Sequence, residues 1–372
     1  MDIERYLASD DCLSRDIAFC SIDDDTATLI RAAAAGILRS EKMLADLKLI
    51  DDAFDAPDCA SRVGHLCADE YPRQDCDAAG AFLLVFPVLH RVERLRAFYA
   101  GHSIPDEYAC ALMEDLPRWI STYSDWNPGK RGFSQIFWLR EHVLGHMFQI
   151  GRLQFQPWGW YLDFTPLSDG RGNFVLLANP GDRIARTGQF ASSKGVDQEG
   201  ATEIVFEKGP RGIRGHRVVA GGKVSPEPSF FAADTWSEAF GRGAPVLNVH
   251  IPSGAPLAPE ACAESFACAP GFFARHFPEN PAPKAMVCTS WLLSPELATI
   301  LPQDSNILAF QRFFTTFPLR RAGDAQIYER VFFPYGRDVK RENLKTRLQK
   351  AIFEYIASGH TPMEGGGTIF LI

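Results

Sequence analysis

No two of the nine cysteines in this 372-residue chain form a CxxC pair, which gives no basis for a zinc ribbon or a thioredoxin-type redox site. No apolar run is long enough to span a bilayer. The longest, AAGAFLLVFPVLH at 78–90, is short and interrupted by Pro87. The opening residues MDIERYLASDD are acidic and lack the apolar core of an export signal. A reduced, cytoplasmic protein with no membrane partner is expected. There is no low-complexity tract and no repeat at a fixed period, so disorder and a solenoid are both disfavoured. Basic residues are not in excess either: 38 Lys and Arg stand against 46 Asp and Glu, a net charge of −8. That balance argues against a nucleic-acid partner held by bulk charge. G-x-G-x-x-G, P-loop and G-x-S-x-G patterns are also missing.

What is present reads as an ordinary globular chain: 46% hydrophobic, 23% charged, mean hydropathy −0.11. Its length suits two or three domains at roughly 150 residues each. The acidity is concentrated at one end. Residues 1–80 carry 18 acidic and 8 basic side chains, and the remainder carries 28 and 30. The later part can therefore host an anionic ligand without a repulsive field.

The hydrophobic spacing divides the chain near residue 147. Before it, Leu29, Ile30, Ala33, Ile37, Leu44 and Leu47 recur at three-and-four spacing behind a cap at Asp25 or Thr26. Further helices are expected over 79–100, over 105–124, opened by Pro105-Asp106-Glu107, and over 132–147. After it, residues 151–156 alternate polar and apolar as a strand does. Short strands follow at 173–178, 202–207 and 213–220, then 246–251, a helix over 259–276, a strand over 284–292, a helix over 340–357 and a terminal strand. The fold class expected is α+β: an all-helical domain at 1–147, then an α/β domain at 148–372 with a mixed, mostly antiparallel sheet.

Several residue sets could carry chemistry. His142 and His146 stand at i and i+4 and could face one metal from a helix, but the glutamate precedes them and no third ligand follows, so no metal is expected. Arg152 and Gln154 on one strand face could grip a carboxylate or phosphate, or could be the solvent side of an edge strand. Asn248 and His250 share a face of strand 246–251, which feeds through Pro252-Ser253-Gly254-Ala255-Pro256 into a helix, a setting suited to an anion. Cys288 on strand 284–292 would be a nucleophile beside a histidine, or otherwise a small buried hydrophobe. Ser290 shares its face.

The blocks WLREHVLGHMFQIGRLQFQ (138–156), VLNVHIPSGAPL (246–257), KAMVCTSWLLSPELATILPQDSNILAFQRFF (284–314) and TRLQKAIFEYIASG (346–359) resemble a bacterial family of two-domain acyltransferases. Its members join a helical N-terminal domain to a GNAT-like C-terminal domain. The resemblance implies acyl-CoA, acetyl-CoA included, as co-substrate. It implies two central strands that splay around the pantetheine arm, and a pyrophosphate on the loop after the first. Asn248, Ile251, Ser253, Gly254, Ala255 and Ser290 would then follow the cofactor. The loop departs from the family's Q/R-x-x-G-x-G/A signature, because PSGAPLAP keeps one glycine and Pro256 and Pro259 remove two donors.

On this reading an acyl group passes directly to a small amine-bearing acceptor. His250 is the base, Tyr328 the acid by chain order, and Cys288 lines the acyl pocket; Arg152, Gln154, His142 and Trp291 lie toward the acceptor. The sequence leaves a homodimer open. Two rivals stay beside this reading: a non-catalytic binder of a small acidic metabolite, and a metal-dependent hydrolase built on His142 and His146.

Overall fold

The computed structural model describes residues 1–72 and 77–372; Cys76 lies outside them. The chain forms two compact units. The first holds residues 1–156 with 251–255 and 275–278; the second holds 157–250, 256–274 and 279–372. A helical N-terminal region is followed by a mixed, mostly antiparallel sheet, as the sequence patterning requires.

Eleven α-helices are described in the first unit: α1 Ile3–Leu7, α2 Asp10–Phe19, α3 Asp24–Leu38, α4 Glu41–Ala53, α5 Cys59–His65, α6 Ala78–Phe82, α7 Phe86–Leu89, α8 Val92–Gly101, α9 Asp106–Met113, α10 Asp115–Trp126 and α11 Ile136–Val143. Side-chain caps start many of them. Ser9, Asp23, Ser40 and Asp77 each accept a backbone N–H of the following turn. Ser40 explains why the apolar stripe from Leu29 to Leu47 belongs to two helices, since its cap opens α4 where α3 has ended. The expected helix over 79–100 is likewise broken around Pro87. Its apolar run is the centre of the unit: Leu83, Leu84, Val85, Phe86, Val88 and Leu89 are wholly buried. At Gly36 a Cβ would stand 2.9 Å from that of Ala79, so the small residue lets α3 and α6 cross closely. The unit ends in a hairpin, β1 Phe148–Ile150 and β2 Leu153–Gly159, whose last three residues enter the second unit.

The second unit first builds short antiparallel ribbons: β3 Phe164–Ser168, β4 Phe174–Ala178, β5 Arg183–Ile184, β6 Thr202–Glu203, β7 Phe206–Gly209, β8 Gly212–Gly215, β9 Val218–Val219, β10 Lys223–Val224, β11 Ser229–Ala232 and β12 Ser237–Glu238. Then come β13 Pro245–His250, α12 Pro259–His276, β14 Ala285–Ser290, β15 Thr315–Pro318 and β16 Gly365–Phe370. The order β13-β14-β16-β15 is parallel at its first pair and antiparallel at the next two. Val246, Ala285, Val287 and Phe317 share one buried apolar cluster with Trp160, Phe164 and Phe190. Helices α13 Leu297–Ile300, α14 Asn306–Gln311, α15 Ala325–Arg330 and α16 Arg347–Ala357 contribute to a second cluster centred on Leu297, Ile327, Phe332 and Ile352. Among the described residues no helix is long and apolar enough to cross a membrane, and the eight described cysteines are all free.

Candidate functional site

The sheet of the second unit is interrupted at one place. β13 and β14 are in parallel register at Val246–Ala285, Leu247–Met286 and Asn248–Val287 only. Both strands run further, to His250 and Ser290. On its other edge β14 stays paired with β16 to the end, with Cys288, Thr289 and Ser290 opposite Gly367, Gly366 and Gly365. Those glycines are required: a Cβ on Gly366 would lie 2.1 Å from the Phe317 ring, and one on Gly365 2.1 Å from the Leu293 carbonyl. Beyond Asn248 and Val287 the two strands therefore part. β14 turns the backbone edge of Cys288–Ser290 toward the gap while its back is firmly held. A strand edge of this kind accepts an extended chain bearing amides.

Register places Val246, Asn248 and His250 on the same face as Ala285, Val287 and Thr289. Asn248 Nδ2 lies 3.2 Å from His250 Nε2, a contact that orients the half-buried ring. Tyr161 packs against the apolar cluster of that face. Burial holds its pKa above the ordinary value, although its hydroxyl is hydrogen-bonded to the Thr289 side chain. Tyr161 and Thr289 escaped the sequence reading. The signal was the aromatic run Trp158–Tyr161 just past the recognised strand.

The other residues expected here have more limited roles. Burial pushes the Cys288 thiol up to about 12, which suits the small buried hydrophobe of the two roles considered for it. Ser290 Oγ accepts the Leu292 N–H and starts a single turn of 3-10 helix. Trp291 donates its backbone N–H to Gln326 and packs with Tyr328 on the second apolar cluster. Tyr328 also lies under the Arg337 guanidinium, 4.2 Å from its ring centroid.

In the first unit two expectations change, the end of the last helix and the face of Arg152 and Gln154. α11 stops at Val143 and Gly145 takes φ +75°. His146 is therefore off the helix and pairs with Glu141 at 3.0 Å, while His142 is fully buried. The two imidazoles do not form a metal-facing pair, and no cluster of three metal-binding side chains occurs among the described residues. Arg152 and Gln154 do not share an exposed face. Gly151, at φ +61°, and Arg152 make the hairpin turn, and Gln154 points inward, fully buried.

His142 and Gln154 join a buried polar group centred on Asp115. Its Oδ2 accepts from Trp138 Nε1 at 2.8 Å and Trp119 Nε1 at 3.3 Å, and lies 3.2 Å from His142 Nε2. His142 Nδ1 faces the Trp138 carbonyl at 3.0 Å, and Gln154 Nε2 lies 3.4 Å from His142 Nε2. Burial would raise the Asp115 pKa, but bonding to His142, with Trp138 and Arg118, holds it below the ordinary value.

The loop that continues β13 belongs to this unit. Ser253, Gly254 and Ala255 are exposed, and Gly254 adopts φ +95°. Arg152 Nη2 donates to the Ala255 carbonyl at 2.8 Å. Arg118 of α10 also lies near this loop: a Cβ on Gly254 would stand 3.2 Å from its Nε.

Comparison with known proteins gives this geometry a relative. Residues 147–369 match the GNAT-like C-terminal domain family, and residues 23–145 match the N-acyltransferase N-terminal domain family. Among solved structures the chain is similar to an acyltransferase in complex with decanoyl-CoA and teicoplanin, at 21% identity and a TM-score of 0.61 over 96% of this chain and 86% of that one. It is similar over the same shares to an acyltransferase with decanoyl-CoA alone, at 22% identity and a TM-score of 0.59. At such identity the likeness is one of fold. No curated protein sequence matches the chain. The parted strands, the helical region before them and the two matched domains lead to one assignment: the chain belongs to the family that joins an N-acyltransferase N-terminal domain to a GNAT-like C-terminal domain.

Proposed function

We propose that this protein is an acyl-CoA-dependent acyltransferase that moves an acyl group to a small amine-bearing acceptor, its helical domain at 1–147 preceding the transferase domain at 148–372. The observation that carries this reading is the parting of β13 and β14 beyond Asn248 and Val287. Pantetheine is an extended chain with two amides, and the open edge of Cys288–Ser290 offers the backbone groups to pair with it. The solved relatives hold decanoyl-CoA or octanoyl-CoA in their complexes, so the donors to be tested run from acetyl to decanoyl.

Transfer within a ternary complex needs two proton movements. The amine nitrogen attacks the thioester carbonyl, and its proton passes to the His250 imidazole as the C–N bond forms. Backbone N–H groups at the parted strands stabilise the oxyanion. The C–S bond then breaks and the thiolate takes a proton from a hydroxyl. Tyr161 is the donor favoured here, because it lies on the His250 face while Tyr328 is packed under Arg337. The acidic character of residues 1–80 supports a cationic acceptor, and the free cysteines support action in the reducing cytoplasm.

Calorimetric titration with acetyl-, octanoyl- and decanoyl-CoA, followed by a thiol-release assay against an amine panel, tests the proposal. Saturable binding and amine-dependent release of CoA are expected, and Tyr161→Phe slows release without weakening donor binding. Failure to bind any of the CoA esters would favour the metabolite-binding alternative, to which the proline-rich loop 252–259 lends support.

A further inference from the structure

Helix α16 carries its charges against its own dipole. Acids favour the first turn of a helix and bases the last, and α12 follows that rule with Glu260 at its start and Arg275 and His276 at its end. α16 has no acid in its first turn and no base in its last. Instead Lys345 precedes the cap Thr346, and Arg347 and Lys350 stand in the first turn, all three exposed. The N–H groups there are already closed by the capping box of Thr346 and Gln349. Among the described residues no carboxylate pairs with Lys345, Arg347 or Lys350. These cations weaken the helix they start and are answered by nothing inside the chain.

They belong to a longer stripe. Spacing of three and four residues puts Arg347, Lys350 and Glu354 on one helix face. Arg341, in the 3-10 turn Arg341–Asn343, reaches the same face, its Nη2 2.6 Å from Glu354 Oε1. Residues 337–350 hold six basic and two acidic side chains in a chain of net charge −8, and the six basic ones are all exposed. The other face of α16 is apolar. Ile352 is wholly buried, and Leu348, Phe353 and Ile356 pack into the second apolar cluster of the unit. Trp291, which follows the open edge Cys288–Ser290, packs on that same cluster. The stripe and the end of β14 are therefore carried by one body of packed side chains within the second unit.

The pattern of the stripe selects its partner. Glu342 and Glu354 interrupt it, which fits a partner whose own charges are fixed in place better than the uniform backbone of a nucleic acid. Of the large apolar side chains described as exposed, only Tyr335 lies in this stretch, too few to enter a bilayer.

Resting on the acyl-CoA reading, we propose that the face formed by Arg341, Lys345, Arg347 and Lys350 docks an acidic carrier protein that delivers the acyl group as a thioester on a phosphopantetheine arm. That arm is the same extended, amide-bearing chain as in CoA, so the open edge of β14 serves both donors. The C–N bond to the amine forms, the C–S bond to the carrier breaks, and the arm leaves as a thiol after protonation. Because PSGAPLAP lacks the glycine-rich diphosphate signature, a donor recognised mainly through its protein suits this chain.

The test compares octanoyl-CoA with the octanoyl-loaded acyl carrier protein of the same organism, each given to one amine acceptor. The triple variant Lys345→Glu, Arg347→Glu, Lys350→Glu is expected to raise the KM for the carrier-borne donor about tenfold or more and to leave kcat and the KM for octanoyl-CoA unchanged. Raised salt should reproduce that selective loss on the wild type. The variant should melt no lower than the wild type, because its first turn now agrees with the dipole. The neutral pair Arg347→Gln, Lys350→Gln should give a smaller loss of the same kind. Turnover of octanoyl-CoA without turnover of the carrier donor, a carrier KM that the variants leave unchanged, or equal losses on both donors would each overturn the docking face and leave the transferase reading standing. Loss of binding to phosphatidylglycerol vesicles with carrier turnover intact would give the stripe to a membrane and overturn it equally. Turnover of neither donor by the wild type would remove both readings.

Discussion

Asp16, Asp51 and Asp115 are all buried in the helical unit, and each is closed off by donors. Asp16 takes Tyr6 at 2.9 Å and Arg15 at 2.8 Å, Asp51 takes Arg91 and His90, and Asp115 takes two indoles and faces His142. The parted end of β13 and β14 is built differently. Its polar side chains include an imidazole, an amide and three hydroxyls, and its main feature is backbone left open along Cys288–Ser290. In the first region full charges are neutralised in place, which fixes helices. In the second, an imidazole, an amide and hydroxyls stand at a gap. Buried charge here is a positioning device, and the chemistry proposed above is assigned to the less charged region.

Four substitutions break or sharpen that contrast. His250→Ala should lower acyl transfer by a hundredfold or more, about what a general base contributes, and leave the melting temperature where it was. Full turnover at every pH would remove His250 from the reaction. Asp115→Ala should do the reverse to stability, costing about 3 kcal/mol in urea unfolding, because it strands His142 among indoles without its carboxylate. The pH dependence has a definite sign. Since the folded Asp115 pKa is held below its ordinary value, its contribution is complete above the ordinary carboxylate range. It disappears as pH falls through the lower folded value. Unfolding curves from pH 6 downward should show that loss in the wild type and a flatter profile in Asp115→Asn.

Gly366→Ala should cost about 1–3 kcal/mol, since the new methyl meets Phe317 at 2.1 Å and must displace a ring or the strand. Lost transfer activity beyond the lost stability would show that the glycines behind β14 hold its open edge in place. Cys288→Ala should have the smallest effect, about 1 kcal/mol and no change in turnover. A thiol reagent added to native protein should label the exposed Cys268 and leave Cys288 unmodified. Rapid modification of Cys288 would contradict its place in the apolar wall.

The two regions also differ in how much of them was legible in the sequence. α12 was recognised at its full length, 259–276, because an apolar face repeats every three or four residues whatever packs on it. Strand 246–251 was recognised to within a residue for the corresponding reason of alternation, so Asn248 and His250 were placed on one face correctly. Legibility failed where a local pattern carried a turn within it. Gly151-Arg152-Leu153-Gln154 alternates as a strand does, yet a positive φ at Gly151 makes its first half a hairpin bend. The same happened at Gly145, which ended α11 before His146 could join the helix. The 3-10 and π segments at Leu83–Val85 and Leu66–Glu70 have no periodic signature of their own.

The sequence by itself determined the helical-then-sheet order, the position of His250 on the first of the parted strands and the two matched domains, since these follow from periodicity and from residue blocks contiguous in the chain. Tertiary structure alone decided which side chains meet: Arg118 with Gly254, His142 with Asp115, Tyr161 with Thr289. Such pairs are far apart along the chain, and a guanidinium or phenol carries no local mark of its eventual neighbour. What joins them is closure of the unit around its buried core, whose packing constrains every member at once.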